Sequence, residues 1–249
     1  MEIKNIVAQH SGKTIFRDGD RLIKLFDENY SKADILNEAL NQARVEETNL
    51  KVPKLTEVVK IDGKWAIVME YIEGKTLGEL MAENPDKEDE YLERFVDLQT
   101  DIHFHTVAHI NKLRDKMHAK IKSTDLDATI RYELHTRLDG TPKHKKLCHG
   151  DFNPDNVIIT PNDEAYIIDW AHVTQGNASA DAARTYLLFS LEGKKELADK
   201  YLNLFCHKTD TAKQYVQKWI PIVAASQLSK GKAEERDFLM NWIDVVEYE

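Results

Sequence analysis

Cysteine is nearly absent: Cys148 and Cys206 are the two thiols in 249 residues. Two cysteines cannot build a disulfide framework, so a reducing compartment and a cytoplasmic location are expected. Long apolar runs are missing as well. No stretch approaches the roughly 20 residues that span a bilayer, so no membrane partner is expected. Met1-Glu2-Ile3-Lys4-Asn5 carries no basic segment leading into an apolar one, which argues against a secretory signal. Positive charge is in deficit: 34 Lys and Arg against 43 Asp and Glu give a formal net charge of −9. That balance disfavours nucleic acid, whose phosphates need a basic surface, and suits a cationic ligand better. What remains, 42% hydrophobic and 31% charged, is the composition of a folded protein. The length allows one large domain or two lobes, and no repeat or low-complexity linker divides it.

Against that background one stretch stands out: His149-Gly150-Asp151-Phe152-Asn153-Pro154-Asp155-Asn156, followed by Ile167-Ile168-Asp169-Trp170. Phosphoryl transfer needs one carboxylate to orient the attacking hydroxyl, and an oxygen ligand plus a second carboxylate to hold Mg²⁺ on the nucleotide phosphates. Asp151, Asn156 and Asp169 are those residue types in that order. Four residues separate Asp151 from Asn156, the spacing of the loop H-R-D-x-x-x-x-N. Val157–Thr160 and Ala165–Ile168 read as short strands around the turn Pro161-Asn162-Asp163-Glu164. Such a hairpin would return Asp169 to the neighbourhood of Asn156.

Upstream, Asp18-Gly19-Asp20 and Asp62-Gly63 each separate two apolar runs, a strong hairpin cue. Ser31-Lys32-Ala33-Asp34 reads as a capping box, with Ile35, Leu36, Ala39, Leu40 and Ala43 as the apolar stripe of the helix that follows. Lys24 sits inside an apolar strand, where an ammonium is costly unless paired. Gly12-Lys13-Thr14 is no Walker A loop, because that motif needs a glycine where Val7 stands. From Thr76 onward the pattern is mostly helical. Leu92, Phe95, Val96, Gln99, Ile102 and His103 mark a core-facing helix. His105 and His109 are spaced i, i+4, but no adjacent glutamate or third ligand supports zinc, so helix-face histidines are the default reading. Cys148-His149 is not read as a thiol pair.

The segment from His149 to Trp170 resembles the aminoglycoside phosphotransferase and choline kinase-like family, small-molecule kinases with a protein-kinase-like fold. The resemblance implies an α+β, two-lobed architecture. A small antiparallel sheet with one helix would occupy residues 1–72, and a mostly helical lobe residues 73–249. It implies that Asp151 accepts the proton of an acceptor hydroxyl, that Asn156 and Asp169 hold Mg²⁺, and that ATP (or GTP) is the donor. Lys24 would hold the nucleotide phosphates. Its partner is ambiguous from helical phase, which places Glu46 nearer the apolar stripe. The family pattern of Glu-Ala followed by apolar-x-apolar-Pro selects Glu38, through Glu38-Ala39 and Leu50-Lys51-Val52-Pro53. Gly12 would lie in the turn over the phosphates, which is poor in glycine, and the backbones of Glu70 and Ile72 would receive the base. Asp181 is expected to cap a helix. Relatives that act on amino sugars or choline bind the cation with acidic and aromatic groups of the second lobe, where this chain has Trp219, Trp242, Asp237, Asp244, Glu247 and Glu249. Two alternatives remain. A non-catalytic nucleotide-binding protein is favoured slightly by the sparse phosphate turn, but the intact Asp151, Asn156 and Asp169 argue against it. A protein kinase is disfavoured by the short span from Asp169 to Asp181 and the lack of an A-P-E element.

Overall fold

The computed structural model describes residues 5–10 and 12–243. The chain divides into two compact units. The first runs to Lys87 and takes back Pro154–His172; the second comprises Glu88–Asn153 and the chain from Val173 onward. This division falls later than residue 72, and it gives the Asn156–Asp169 hairpin to the first unit.

The first unit opens with strands β1 (Ile6–His10), β2 (Lys13–Asp18) and β3 (Arg21–Phe26). Gly19, at φ +67°, makes the tight β2–β3 turn possible. Helix α1 (Lys32–Val45) follows, its first turn capped by the Ser31 hydroxyl, which accepts from the Asp34 amide at 3.3 Å. Strands β4 (Leu55–Ile61) and β5 (Lys64–Glu70) are joined by Asp62 and Gly63, both left-handed at φ 48° and 84°. Two such residues in a two-residue loop match the right-handed twist of the strands they join. The sheet order is β1-β2-β3-β5-β4, antiparallel throughout. Strand alternation splits its side chains into two sets. Phe26, Ile67 and Met69 pack against Ile35 and Ala39 of α1, while Phe16, Ile23, Ala66 and Val68 form a cluster on the opposite face.

The apolar stripe expected on α1 is corrected here. Leu36 and Leu40 are 43% and 47% exposed, whereas Glu38, Asn41 and Gln42 are buried with Ile35, Ala39 and Val45. Polar partners set this orientation: Gln42 Nε2 donates to the Pro53 carbonyl at 2.6 Å, and Glu38 faces Lys24.

Beyond β6 (Lys75–Thr76), helix α2 (Leu77–Glu83) starts with a complete capping box of Thr76 and Glu79. The second unit then begins with α3 (Glu88–Phe104), which buries Leu92, Phe95, Val96, Gln99, Ile102 and His103. Helices α4 (Leu113–Lys122) and α5 (Ala128–Asp139) lead to β7 (Lys146–Cys148). The chain returns to the first unit for β8 (Val157–Ile159) and β9 (Ala165–Ile167), which extend β6 into a three-stranded sheet ordered β6-β8-β9. Back in the second unit, β10 (Thr174–Gly176) pairs with β7. Helices α6 (Ala178–Leu191), α7 (Lys195–Thr209), α8 (Lys213–Gln217), α9 (Ile220–Leu228) and α10 (Arg236–Ile243) complete it. Among the described residues no helix is long and apolar enough to cross a membrane.

Gly74, just before β6, has no room for a side chain. A Cβ there would lie 2.8 Å from Ile158 Cγ2 and closer still to the Ile159 carbonyl oxygen. That oxygen belongs to the β8 backbone and cannot rotate away. Gly74→Ala should therefore destabilise the protein by about 1–3 kcal/mol, seen as a lower urea midpoint with little change in slope.

Candidate active site

Strand alternation puts Lys24 on the α1 side of the sheet, between Ile23 and Leu25 and in register with Ile67. Its Nζ donates to Glu38 Oε1 and to Asp169 Oδ1, both at 2.9 Å. Lys24 is 5% exposed. Burial alone would depress its pKa, but the charges of Asp169 and Glu38 outweigh that effect and hold it above the usual lysine value. Two carboxylates around one ammonium leave a net negative charge.

The hairpin explains how Asp169 reaches this point. Val157 pairs with Ile167, and the Ile168 amide donates to the Asn156 carbonyl at 2.9 Å. Asn156 and Asp169 therefore sit at the same open end of the β8–β9 ladder. Asp169 has a left-handed backbone, φ 63°, which turns its carboxylate off the strand. The next residue, Trp170, is buried and donates from its indole to the Ile167 carbonyl at 3.0 Å. Two further residues of the first unit had expected roles. Gly12, at φ +81°, closes the tight β1–β2 turn, and its carbonyl accepts from Asp27. Glu70 ends β5, with its amide donating to the Lys54 carbonyl at 2.9 Å, and Ile72 is buried just beyond.

Asp151 belongs to the second unit, in the loop after β7. The carboxylate of Asp181 anchors this loop by accepting from the His149 amide at 3.1 Å and the Gly150 amide at 2.7 Å. His103 Nε2 donates to the same carboxylate at 3.0 Å. Burial would raise the Asp181 pKa; the hydrogen bond and charge of His103, with His149 and the Gly150 amide, lower it below the usual carboxylate value. His149 Nδ1 accepts from the Asp151 amide at 3.3 Å. Phe152 stacks on Phe95 with ring centroids 4.4 Å apart, and its carbonyl accepts from Thr185 at 2.8 Å. The side chain of Asp151 is set by Arg184, whose Nη2 donates to Oδ1 at 3.0 Å. Arg184 is buried and held in turn by Gln227 Oε1 at 2.6 Å.

Several expectations change. Asp181 is not a helix cap: Asn177 caps α6 by accepting from the Ser179 amide at 2.9 Å, and Asp181 serves the loop instead. Glu46 lies at the end of α1 and accepts from the Leu55 amide. His105 and His109 lie past the end of α3 at Phe104, so helical i, i+4 spacing does not apply to them. Cys148 is buried, and burial pushes its thiol well above the ordinary value, away from nucleophile chemistry. Trp219 is core, Asp237 is exposed on α10, and Trp242 packs edge-on against Tyr186. Asp244, Glu247 and Glu249 lie outside the described residues. Arg184 was the functional residue missed. Its signal was present as a lone cation in the apolar run Ala182-Ala183-Arg184-Thr185-Tyr186-Leu187, three positions after Asp181.

Solved structures of aminoglycoside phosphotransferases and of a choline kinase share this protein-kinase-like fold. A thermostable mutant of aminoglycoside phosphotransferase APH(4)-Ia aligns with a TM-score of 0.71 at 14% identity, covering 96% of this chain and 92% of that one. Choline kinase LicA from Streptococcus pneumoniae aligns with a TM-score of 0.66 at 15% identity, covering 97% and 90%. ADP-bound aminoglycoside phosphotransferase APH(2'')-Ib gives 0.64 at 16%, covering 96% and 90%. No curated protein matches the chain. The chain belongs to the phosphotransferase enzyme family, whose model matches residues 2–215.

The Asp181 anchor yields a pH-dependent prediction. Its folded-state pKa is lower than in the unfolded chain. Its stabilisation is therefore full above about pH 4 and is lost as pH falls toward the lower folded value. Asp181→Asn should cost about 1–3 kcal/mol at pH 7, because an amide cannot accept from both loop N–H groups and His103. In urea unfolding the gap from wild type should be widest near neutrality and shrink below about pH 4.

Proposed function

We propose that this protein is a Mg²⁺-dependent kinase that transfers the γ-phosphate of ATP (or GTP) to a hydroxyl of a small molecule. The observation that carries the reading is Lys24, buried and bonded to both Glu38 and Asp169. A strand lysine positioned by a helix glutamate, beside a carboxylate at a strand end, is the arrangement that kinases use on nucleotide phosphates. Relatives of the same fold were solved with ADP or AMP-PNP together with hygromycin B. Lys24 would neutralise phosphate charge, with Glu38 fixing its direction. Gly12 would let the β1–β2 turn approach the phosphates closely. The Glu70 amide is committed to Lys54, so the contribution of Glu70 to base binding falls to its carbonyl, with the Ile72 backbone beside it.

The donor set suits Mg²⁺, which prefers hard oxygen ligands and takes one or two from protein, the rest from phosphates and water. The Asn156 amide oxygen and the Asp169 carboxylate supply such ligands, and the net negative charge around Lys24 favours a divalent cation. When bound, the ion would neutralise charge on the β- and γ-phosphates. Asp151 would accept the proton of the acceptor hydroxyl as its oxygen bonds to the γ-phosphorus. The bond from that phosphorus to the β–γ bridging oxygen breaks, and the nucleoside diphosphate leaves. Arg184 orients Asp151 without contacting the reacting atoms. Catalysis of this kind rests on positioning and charge stabilisation. The protein-kinase alternative has little support, since only a short turn (Trp170–His172) and β10 lie between Asp169 and α6.

Asp151→Asn should lower turnover by about 10²–10⁴-fold while keeping nucleotide Kd within about tenfold, roughly 1.4 kcal/mol. Turnover near the wild-type rate would overturn the assignment. Lys24→Met should raise the Kd for ATP with Mg²⁺ by at least about tenfold in calorimetry. Absence of any magnesium-assisted purine triphosphate binding by the wild type would refute the nucleotide site itself.

A further inference from the structure

The second unit contains a cleft of about 480 Å³, and Asp151, Arg184, Gln227, Lys232 and Glu235 are among the residues that line it. These five side chains form one unbroken run of hydrogen bonds. Arg184 Nη2 donates to Asp151 Oδ1 at 3.0 Å, and Nη1 donates to Gln227 Oε1 at 2.6 Å. Gln227 Nε2 donates to Glu235 Oε2, and Lys232 Nζ donates to Glu235 Oε1 at 2.7 Å. Burial would raise the Glu235 pKa, but the hydrogen bonds from Lys232 and Gln227 hold it below the usual value. At neutral pH Glu235 is therefore a carboxylate that accepts from both.

The run has a direction. A guanidinium only donates, so Gln227 must give its oxygen to Arg184 and its NH₂ group to Glu235. Gln227 is 3% exposed and Arg184 7%, so neither can turn to water if a neighbour moves. The two bonds of Arg184 leave from different nitrogens of one rigid plane. The grip at Nη1 thus sets the angle at which Nη2 meets Asp151. The outer end is built differently. Glu235 closes a single short turn (Ala233–Glu235) between α9 and α10, just after Gly231, whose φ of +71° bends the chain. This short connection lines the cleft and also holds the last link of the run that leads to Asp151.

We infer that Gln227 and Glu235 are positioning residues for phosphoryl transfer. Glu235 fixes the Gln227 amide, the amide fixes the Arg184 guanidinium, and the guanidinium aims the Asp151 carboxylate. This inference rests on the reading of Asp151 as the base. It makes the aim of that base depend on the connection between α9 and α10, whose outermost link never touches Asp151.

The test follows release of ADP from ATP with Mg²⁺, water serving as acceptor, well below the Tm of each variant. Glu235→Ala should lower turnover by about tenfold or more, since a misplacement of about 1 Å can cost about 10²-fold. The Kd for ATP with Mg²⁺ should stay at the wild-type value, which also shows that the variant folds. Glu235→Gln, whose amide oxygen still accepts from Gln227, should recover most of the loss. In an Arg184→Met background Glu235→Ala should cause no further loss, because the run is already cut. Wild-type turnover in Glu235→Ala, an equal fractional loss in the Arg184→Met background, or a weakened Kd for ATP would overturn the inference. A second measurement needs no turnover. In spectra of protein labelled with nitrogen-15 arginine, a guanidinium held at both ends rotates slowly, so Arg184 should show resolved Nη signals that merge in Gln227→Leu. Signals already merged in the wild type, or unmoved in Gln227→Leu, would likewise overturn it. Turnover of Asp151→Asn at the wild-type rate, or no ADP release by the wild type, would instead count against the kinase reading.

Discussion

The first unit is arranged around a single buried ammonium. Lys24 has little access to water, so its charge must be satisfied by protein, and Glu38 and Asp169 do so from opposite directions in the sequence. That requirement reaches into the elements on either side. It turns α1 so that Glu38, Asn41 and Gln42 face inward while Leu36 and Leu40 are left toward water. It also requires the β8–β9 hairpin to end beside the sheet rather than against other helices. Trp170 then fills the space under the turn, and α1 packs on the Trp170–His172 segment. Without the lysine, the carboxylates of buried Glu38 and half-buried Asp169 would be left without the cation they share. With it, they form a set of net charge −1.

In the second unit, one helix fixes both the backbone and the side chain of the loop that bears Asp151. Asp181 and Arg184 lie three residues apart on α6, hence on the same face. The carboxylate takes the loop amides of His149 and Gly150, and the guanidinium takes Asp151. The N-terminal part of α6 is rich in small residues, with Ala178, Ala180, Ala182 and Ala183. Gly150, at φ +82°, makes the bend that points two successive amides at one carboxylate. A loop held in this way is pre-set before any ligand arrives, which is the condition for catalysis by positioning.

Much of this was legible in the sequence because it depends on local signals. The Asp62-Gly63 turn, the Ser31 cap, the buried face of α3 and the short hairpin before Asp169 all follow from residue type and period. What could not be read depended on partners distant in the chain. The orientation of α1 is set by Lys24, Pro53 and the hairpin, so a hydrophobic count along the helix pointed to Leu36 and Leu40 instead. Glu38 came from family pattern and not from phase, for the same reason. Asp181 looked like a cap because an acidic residue near a helix start usually is one, and its pairing with amides 31 and 32 positions earlier has no local trace.

The backbone of Asp169 carries one more consequence. At φ 63° it occupies a conformation that β-carbon sterics penalise, and Asp and Asn tolerate it better than other residues with side chains. Swapping this residue for alanine therefore changes two things at once, the ligand oxygen and the ease with which the chain turns. Swapping it for asparagine changes chiefly the charge. The two replacements would not be equivalent probes, and a larger defect in the alanine protein would measure conformational strain as much as lost coordination.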